Sequence, residues 1–316
     1  MSVSPRPPVA THALVIGEAL VDVVVQLDGS VATHPGGSPA NVAIGLGRLG
    51  RDAELLCFLG LDDNGAIVRD HVEASGVHLV PGSQSAPHTS VATATLNETG
   101  AATYDFDLTW AIATDAKPRA NPLVVHTGSI AAVMHPGAAD VRRLIAASQA
   151  TATVTYDPNI RPTLMGTPAQ ARGAVEETVA LADIVKVSDE DLAWLYPDRE
   201  PSESAKAWAA SGRPSFVILT RGGEGASAYL ADGRTLDVSA PSVEVADTVG
   251  AGDSFMAGLI DGLWYFGLLG ADHRHKLRTI KSGSLEQILL RCARIAGITV
   301  SRPGANPPTI WELGEG

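Results

Sequence analysis

Three observations predict a three-layer α/β/α fold, with helices on both faces of a mostly parallel sheet. Short apolar runs at 123–127, 153–157, 184–187 and 216–220 alternate with helix-like stretches at 136–149, 168–182, 189–196 and 203–211, the pattern of parallel strands joined by crossover helices. Two runs rich in Thr, Val and aromatic residues, 89–96 and 102–106, flank Asn97-Glu98-Thr99-Gly100 and read as a hairpin apart from that alternation. The polar and glycine-rich loops fall at the carboxyl ends of the predicted strands, where such sheets bind ligands.

In chain order, residues 1–11 are expected to form a flexible tail and 12–316 one domain. The first strand is 13–17, apolar and closed by Gly17. A second follows at 21–26, with Asp22 near its start. Ser38 is placed to cap a helix, with Pro39 at its first position and 42–49 as its body. Residues 54–59 read as a strand and 67–74 as a helix ended by Gly76. Past the alternating region come helices at 252–269 and 284–298. The basic stretch ADHRHKLRTIKSGS (271–284) reads as a polar connector between them, with His273 and His275 at the surface. Cys57 and Cys292 each lie in apolar runs, with neither number nor spacing for a disulfide framework or zinc site, so both read as buried thiols.

The charge balance excludes some functions. With 23 basic and 35 acidic residues, the formal net charge of −12 argues against a general nucleic-acid binder. No apolar run is long enough to cross a membrane, and the N-terminus lacks a signal-peptide pattern. A cytoplasmic protein is expected, and the sequon Asn97-Glu98-Thr99 is then a chance match. GLGRLG (45–50) fits the letter of a dinucleotide-binding fingerprint, but that motif must lie at a strand-to-helix turn. Here its glycines come late in a helix begun near Pro39, so they read as packing glycines with Gly50 at the helix end. A Walker A sequence is absent.

DTVGAGDSFM (247–256) is the most informative stretch. Gly250, Ala251 and Gly252 open an apolar, helix-like run, and a helix start presents free N–H groups that suit an anion. Asp253 falls at the same point. An ordinary helix start explains the acid, since a carboxylate is favoured there, but not the small residues before it. A phosphoryl-transfer loop explains both: backbone amides face the charge on the transferring group, and Asp253 takes the proton of the attacking hydroxyl.

DTVGAGDSFMAG resembles the C-terminal signature of the ribokinase-like (PfkB) carbohydrate kinases, and GGSPANVAIGLGRLG (36–50) resembles their second signature. CFLGLDDNG (57–65), HTGSI (126–130), YDPNIRP (156–162), KVSDEDL (186–192) and TRGGEG (220–225) are similar to family segments in the same order. The likeness covers essentially the whole chain after residue 12.

That resemblance implies Asp253 as catalytic base and Gly250, Ala251 and Gly252 as anion hole. It places sugar hydroxyls at Asp22, Gly37 and Asn41. It puts the ATP at Thr220, Gly222, Gly223 and Gly225, with Asn159 and Arg161 near the phosphates or the substrate. Ser188 and Asp191 stand where many members carry Asn-x-x-Glu, so Asp191 would meet magnesium through water, one methylene further away. Asp247 matches a residue that helps hold potassium in cation-activated members. Segments near 20–35 and 89–107 are expected to form a β-sheet lid, whose edge would also serve a homodimer.

GEALVDVV (17–24), with GGSPANVA, DPNIRP and KVSDED, looks most similar to fructokinases, so fructose is the expected acceptor. Other acceptors in the family are 2-keto-3-deoxygluconate, ribose and nucleosides. An acid sugar needs a cation in the lid, yet TSVATATL and AATYDFDL carry no Arg or Lys. Tyr104, Phe106 and Trp110 are candidates for packing on a neutral sugar or for lid core. A non-catalytic sugar sensor would keep the fold but has no need of an intact 250–253 segment.

Overall fold

The computed structural model of the protein describes residues 12–96 and 102–315. The expected tail at 1–11 and the turn at 97–100, with its sequon, lie outside the described residues.

The strands are β1 (Ala13–Ile16), β2 (Leu20–Val25), β3 (Val31–Gly36), β4 (Ala53–Leu56), β5 (Val77–Leu79), β6 (Val91–Leu96), β7 (Ala102–Asp107), β8 (Val124–Gly128), β9 (Thr153–Asp157), β10 (Ile184–Ser188), β11 (Phe216–Thr220), β12 (Ala226–Leu230) and β13 (Thr235–Val238). The helices are α1 (Ser38–Arg48), α2 (Asp63–Ala74), α3 (Gly137–Ser148), α4 (Pro162–Met165), α5 (Pro168–Val179), α6 (Asp189–Leu195), α7 (Pro201–Ala209), α8 (Ala251–Tyr265), α9 (Arg274–Arg278) and α10 (Ser282–Val300).

Nine strands form the main sheet in the order β13-β12-β11-β10-β9-β8-β1-β4-β5, parallel except for β12 and β13 at one edge. Neighbouring residues of one strand feed opposite layers, as the two-residue period of a strand requires. Val15, Ile184 and Ile218 join a core with Met256 and Leu259 of α8 and Ile288 and Leu289 of α10. Leu14, Val185 and Leu219 join a second core with Val141 of α3, Val175 of α5 and Leu192 of α6. This is the predicted three-layer arrangement.

The chain leaves β1 toward β4 on one side and later returns to β8 on the other. Such a reversal opens a crevice beyond the strands' carboxyl ends. Immediately after β1 the chain builds β2 and β3, and with β6 and β7 these form a separate sheet in the order β3-β2-β6-β7. The segments expected as a lid therefore pair with one another, in part through the parallel register of β2 with β6.

Some boundaries differ from expectation. Helix α2 begins at Asp63 rather than residue 67, because Asp62 accepts the Gly65 amide and caps it. The stretch 271–284 is not merely a polar connector. It contains α9 and the buried Leu277, and Arg274 binds Asp183 and the carbonyls of Gln149 and Ala152. His275 is exposed as expected, whereas His273 is half-buried and hydrogen-bonded to the Leu269 carbonyl. Its basic residues reach across to partners that the local sequence does not reveal. Both cysteines are buried, and burial pushes the Cys57 thiol up to about 12.

The glycines of GLGRLG do pack helices. A β-carbon on Gly45 would come within 2.6 Å of the Ala257 methyl on α8, and one on Gly47 would overlap the Ser75 carbonyl. Gly50 is left-handed, with φ 78°, and its amide bonds the Gly47 carbonyl just past the helix end. Gly45→Val should therefore push α1 off α8 and cost about 1–3 kcal/mol, read as a lower urea midpoint. An unchanged midpoint would show that the contact is not tight.

Candidate active site

Helix α1 starts directly over the end of β1. A β-carbon on Gly17 would overlap the Pro39 ring, so the bare backbone lets Pro39 seat there. Gly37 has φ 107° and is the N-cap, a conformation that favours glycine, and a β-carbon there would come within 2.5 Å of the Glu18 carbonyl. The helix thus starts one residue earlier than expected: Asn41 N–H bonds the Gly37 carbonyl. Ser38 is not the cap, and its hydroxyl is free for another partner.

Helix α8 starts opposite. Gly250 caps it in the left-handed conformation, φ 74°, and a β-carbon there would come within 2.6 Å of the Ala305 methyl. The Ser254 amide returns to the Gly250 carbonyl. The first-turn amides of Gly252 and Asp253 have no carbonyl one turn below them, as at any helix start. Asp247 braces this loop. One carboxylate oxygen accepts the Val249 amide at 3.0 Å and the other the Gly304 amide at 2.8 Å.

The two helix starts meet at Asp253, which is only 5 % exposed. Its Oδ1 accepts from the Ser38 hydroxyl at 2.7 Å and from Asn159 Nδ2 at 3.2 Å, and its Oδ2 accepts from Asn41 Nδ2 at 2.8 Å. Asn159 also donates to Ser38 Oγ at 2.6 Å. It follows β9 with φ 36°, a left-handed conformation that Asn tolerates better than most residues. A buried carboxylate is costly unless hydrogen-bonded. Here three neutral donors hold it, and two positive helix ends favour its charge.

Acids and cations surround this cluster. Asp157 is fully buried, with Lys186 Nζ 2.8 Å from its Oδ2. Asp191 accepts the Ile160 amide at 2.9 Å and, more loosely, the Ser188 amide at 3.4 Å, while Ser188 caps α6. Arg161 is exposed and donates to Asn159 Oδ1 at 2.6 Å. Its charge also acts on Asp22 and Glu18, so it faces the side where β2 approaches the crevice. Asp22 is exposed on β2, and the desolvation by surrounding groups that raises its carboxyl works against the opposing pull of Arg161 and His34.

The expected nucleotide segment ends β11. Gly222 and Gly223 are exposed, with open space where a β-carbon would stand. Gly225 is different: it is buried at φ 104°, and a β-carbon would overlap the Val238 carbonyl, so it serves the turn into β12. Thr220 lies beside Ser188 in the sheet register. Trp110 belongs to the second core, donating to the Ala131 carbonyl, while Tyr104 stacks on Phe106 at 6.0 Å and is exposed.

A model of the pfkB family of carbohydrate kinases matches residues 10–312. The chain belongs to the PfkB carbohydrate kinase family. It is 32% identical to a fructokinase of Klebsiella pneumoniae over 266 residues, 80% of this chain and 85% of that one. It is 30% identical to an Escherichia coli fructokinase over 290 residues, 89% and 92% of the two chains. The fold matches the structure of a Xylella fastidiosa fructokinase with bound ATP at a TM-score of 0.79 and 24% identity, covering 96% and 99%. It also matches aminoimidazole riboside kinase of Salmonella enterica at 0.72 and 24% identity, covering 93% and 95%. The protein is an ATP-dependent sugar kinase.

The kinase brings Asn41, Asn159 and Asp253 into direct contact, with Gly250, Ala251 and Gly252 beside them and Arg161 on Asn159. Gly222, Gly223 and Asp247 are not hydrogen-bonded into that cluster. Sequence reasoning missed three residues around it. Ser38 was read as a cap, although its place in GGSPAN beside a glycine that can itself cap was a usable signal. Lys186 stands in an apolar strand, and its partner Asp157 lies 29 residues away on β9. Glu18 adjoins Gly17, is buried, and accepts the Ala131 amide at 3.2 Å.

Burial, opposed by the Ser129 hydroxyl and Arg161, pushes the Glu18 carboxyl up to about 7. The folded kinase thus holds this proton more tightly than the unfolded chain, whose carboxyl titrates near 4.5. Stability from this group is full below that value and is lost as the pH rises through about 7. Glu18→Gln should be more stable than wild type at pH 8, by about 1–3 kcal/mol, with no gain at pH 4.5. Denaturation curves that stay parallel across this range would contradict it.

Proposed function

We propose that this kinase is a fructokinase that moves the γ-phosphoryl group of ATP to a primary hydroxyl of fructose. The observation that carries this reading is Asp253, buried and oriented by three neutral donors beside the open amides of its own helix start. The acceptor hydroxyl approaches its carboxylate. As the hydroxyl oxygen forms its bond to the γ-phosphorus, its proton passes to Asp253, and the bond from that phosphorus to the β,γ-bridging oxygen breaks to release ADP. The amides at Gly250, Gly252 and Asp253 face the phosphoryl oxygens as their charge shifts, while Ala251, whose own amide bonds the Thr248 carbonyl at 3.3 Å, lets the group approach closely.

Asp22, Gly37 and Asn41 hold the sugar hydroxyls. Asn41 does so with the amide oxygen left over from its bond to Asp253. Thr220, Gly222 and Gly223 receive the nucleotide, with Gly225 shaping that turn. Asn159 and Arg161 stand between sugar and phosphates. Magnesium carried on the phosphates would supply charge neutralisation. Asp191 would hold it through water, because its two oxygens already accept the Ile160 and Ser188 amides. A potassium ion at Asp247 would share a carboxylate already bound to two amides.

The sheet of β2, β3, β6 and β7 acts as a lid that keeps water from competing for the phosphoryl group. Its exposed Leu27, Val31 and Tyr104 suit a homodimer contact between two lids. The charge of Arg161 faces Asp22 and Glu18, leaving it balanced for a neutral sugar. No helix among the described residues is long and apolar enough to cross a membrane, in keeping with work in the cytoplasm.

ADP release, measured with ATP and magnesium over fructose, ribose, 2-keto-3-deoxygluconate and a nucleoside, tests the acceptor. Fructose should give the highest kcat/KM, by at least about tenfold, a difference of about 1.4 kcal/mol in transition-state binding. A higher value for another acceptor would replace fructose. Sugar binding without turnover on any acceptor would favour the sensor.

A further inference from the structure

Lys186 stands on β10 with its side chain only 4 % exposed, clamped by Asp157 Oδ2 at 2.8 Å. A β-carbon added to Gly252 would come within 2.7 Å of its Nζ. The ammonium therefore lies under the first turn of α8, at the turn that carries Asp253 and the open amides. A cation beside a positive helix end is unfavourable by itself. Three carboxylates balance it: Asp157 from β9, Asp191 from α6 and Asp253 from α8 all act on Lys186. His126 on β8 faces it too, and burial together with the Lys186 charge pushes that imidazole down to about 3, so it is neutral.

We propose that Lys186 is a positioning residue for phosphoryl transfer. It is a fixed buried cation that props the first turn of α8 on the sheet and adds positive charge beneath the amides that face the phosphoryl group. This rests on the assignment of Asp253 as base and of the 250–253 amides as anion hole. Fixed charges in a desolvated site stabilise a transition state without reorganising. The same cation favours the ionised form of a neighbouring carboxylate. Gly252 is then needed because Lys186 fills the space below it. Asp157 holds the cation in place, and its carboxyl, raised by burial to about 6, stays mostly ionised at neutral pH.

The test compares kcat against pH, with saturating sugar and ATP, for wild type, Lys186→Met and the pair Lys186→Met with Asp157→Asn. The single variant leaves Asp157 buried without its partner and is expected to lose stability. The double variant removes both charges at similar volume and should recover the wild-type thermal midpoint. If Lys186 positions the reaction, the recovered double variant still loses about tenfold to a hundredfold in kcat, with KM for sugar little changed.

A double variant with wild-type kcat would overturn the proposal and leave the pair a structural one. A wild-type profile without an acid limb would instead count against Asp253 as the titrating base. The kcat ratio of the double variant would still decide whether the cation assists.

Discussion

The site depends on holding one buried carboxylate in a fixed orientation. Asp253 accepts from Ser38, Asn41 and Asn159, and hydrogen bonds to a charged group are worth about 1.5–3 kcal/mol each. Those donors come from the start of α1 and the turn after β9, far apart in sequence and adjacent only once the sheet has formed. None brings a charge that would bind the carboxylate as an ion pair. Its donors orient Asp253 while leaving it free to accept a proton.

The packing of α1 and α8 follows from that requirement. Gly17 lets Pro39 seat over β1, Gly37 turns the chain into α1 in a left-handed conformation, and Gly45 lets α1 close on Ala257 of α8. These contacts set the distance between the donors on α1 and the acceptor on α8. A β-carbon at any of them would move one helix start relative to the other. Charge is arranged in the same spirit. Lys186 is held by Asp157, and Arg161 reaches Asn159 while its charge acts on Asp22 and Glu18, so both cations stand beside acids in a protein whose net charge is −12.

The chain order of strands and helices was legible because apolar periodicity and turn residues are local signals. The helix start at 251 with an acid in its first turn was legible too, since it follows from adjacent residues. What sequence could not reveal were relations between distant residues. Ser38 was read as a cap because Ser commonly caps helices, yet the left-handed Gly37 took that role and released the hydroxyl to Asp253, 215 positions away. The match of Lys186 with Asp157 spans 29 residues and appears only when β9 and β10 are neighbours. Glu18 interrupts an apolar run, which by itself suggests exposure; its burial depends on the segment after β8, whose Ala131 amide bonds it. The hairpin of β12 and β13 was missed because its short strands follow a glycine-rich loop with no strong alternation.

The most direct test replaces the Asp253 carboxylate by an amide of the same shape. Asp253→Asn should bind fructose and ATP about as well as wild type by calorimetry, while kcat falls by at least about a hundredfold, the lower range for loss of a general base. Folded Asp253→Asn enzyme that turns fructose over at close to the wild-type rate would contradict the account, because the proton would then have another acceptor.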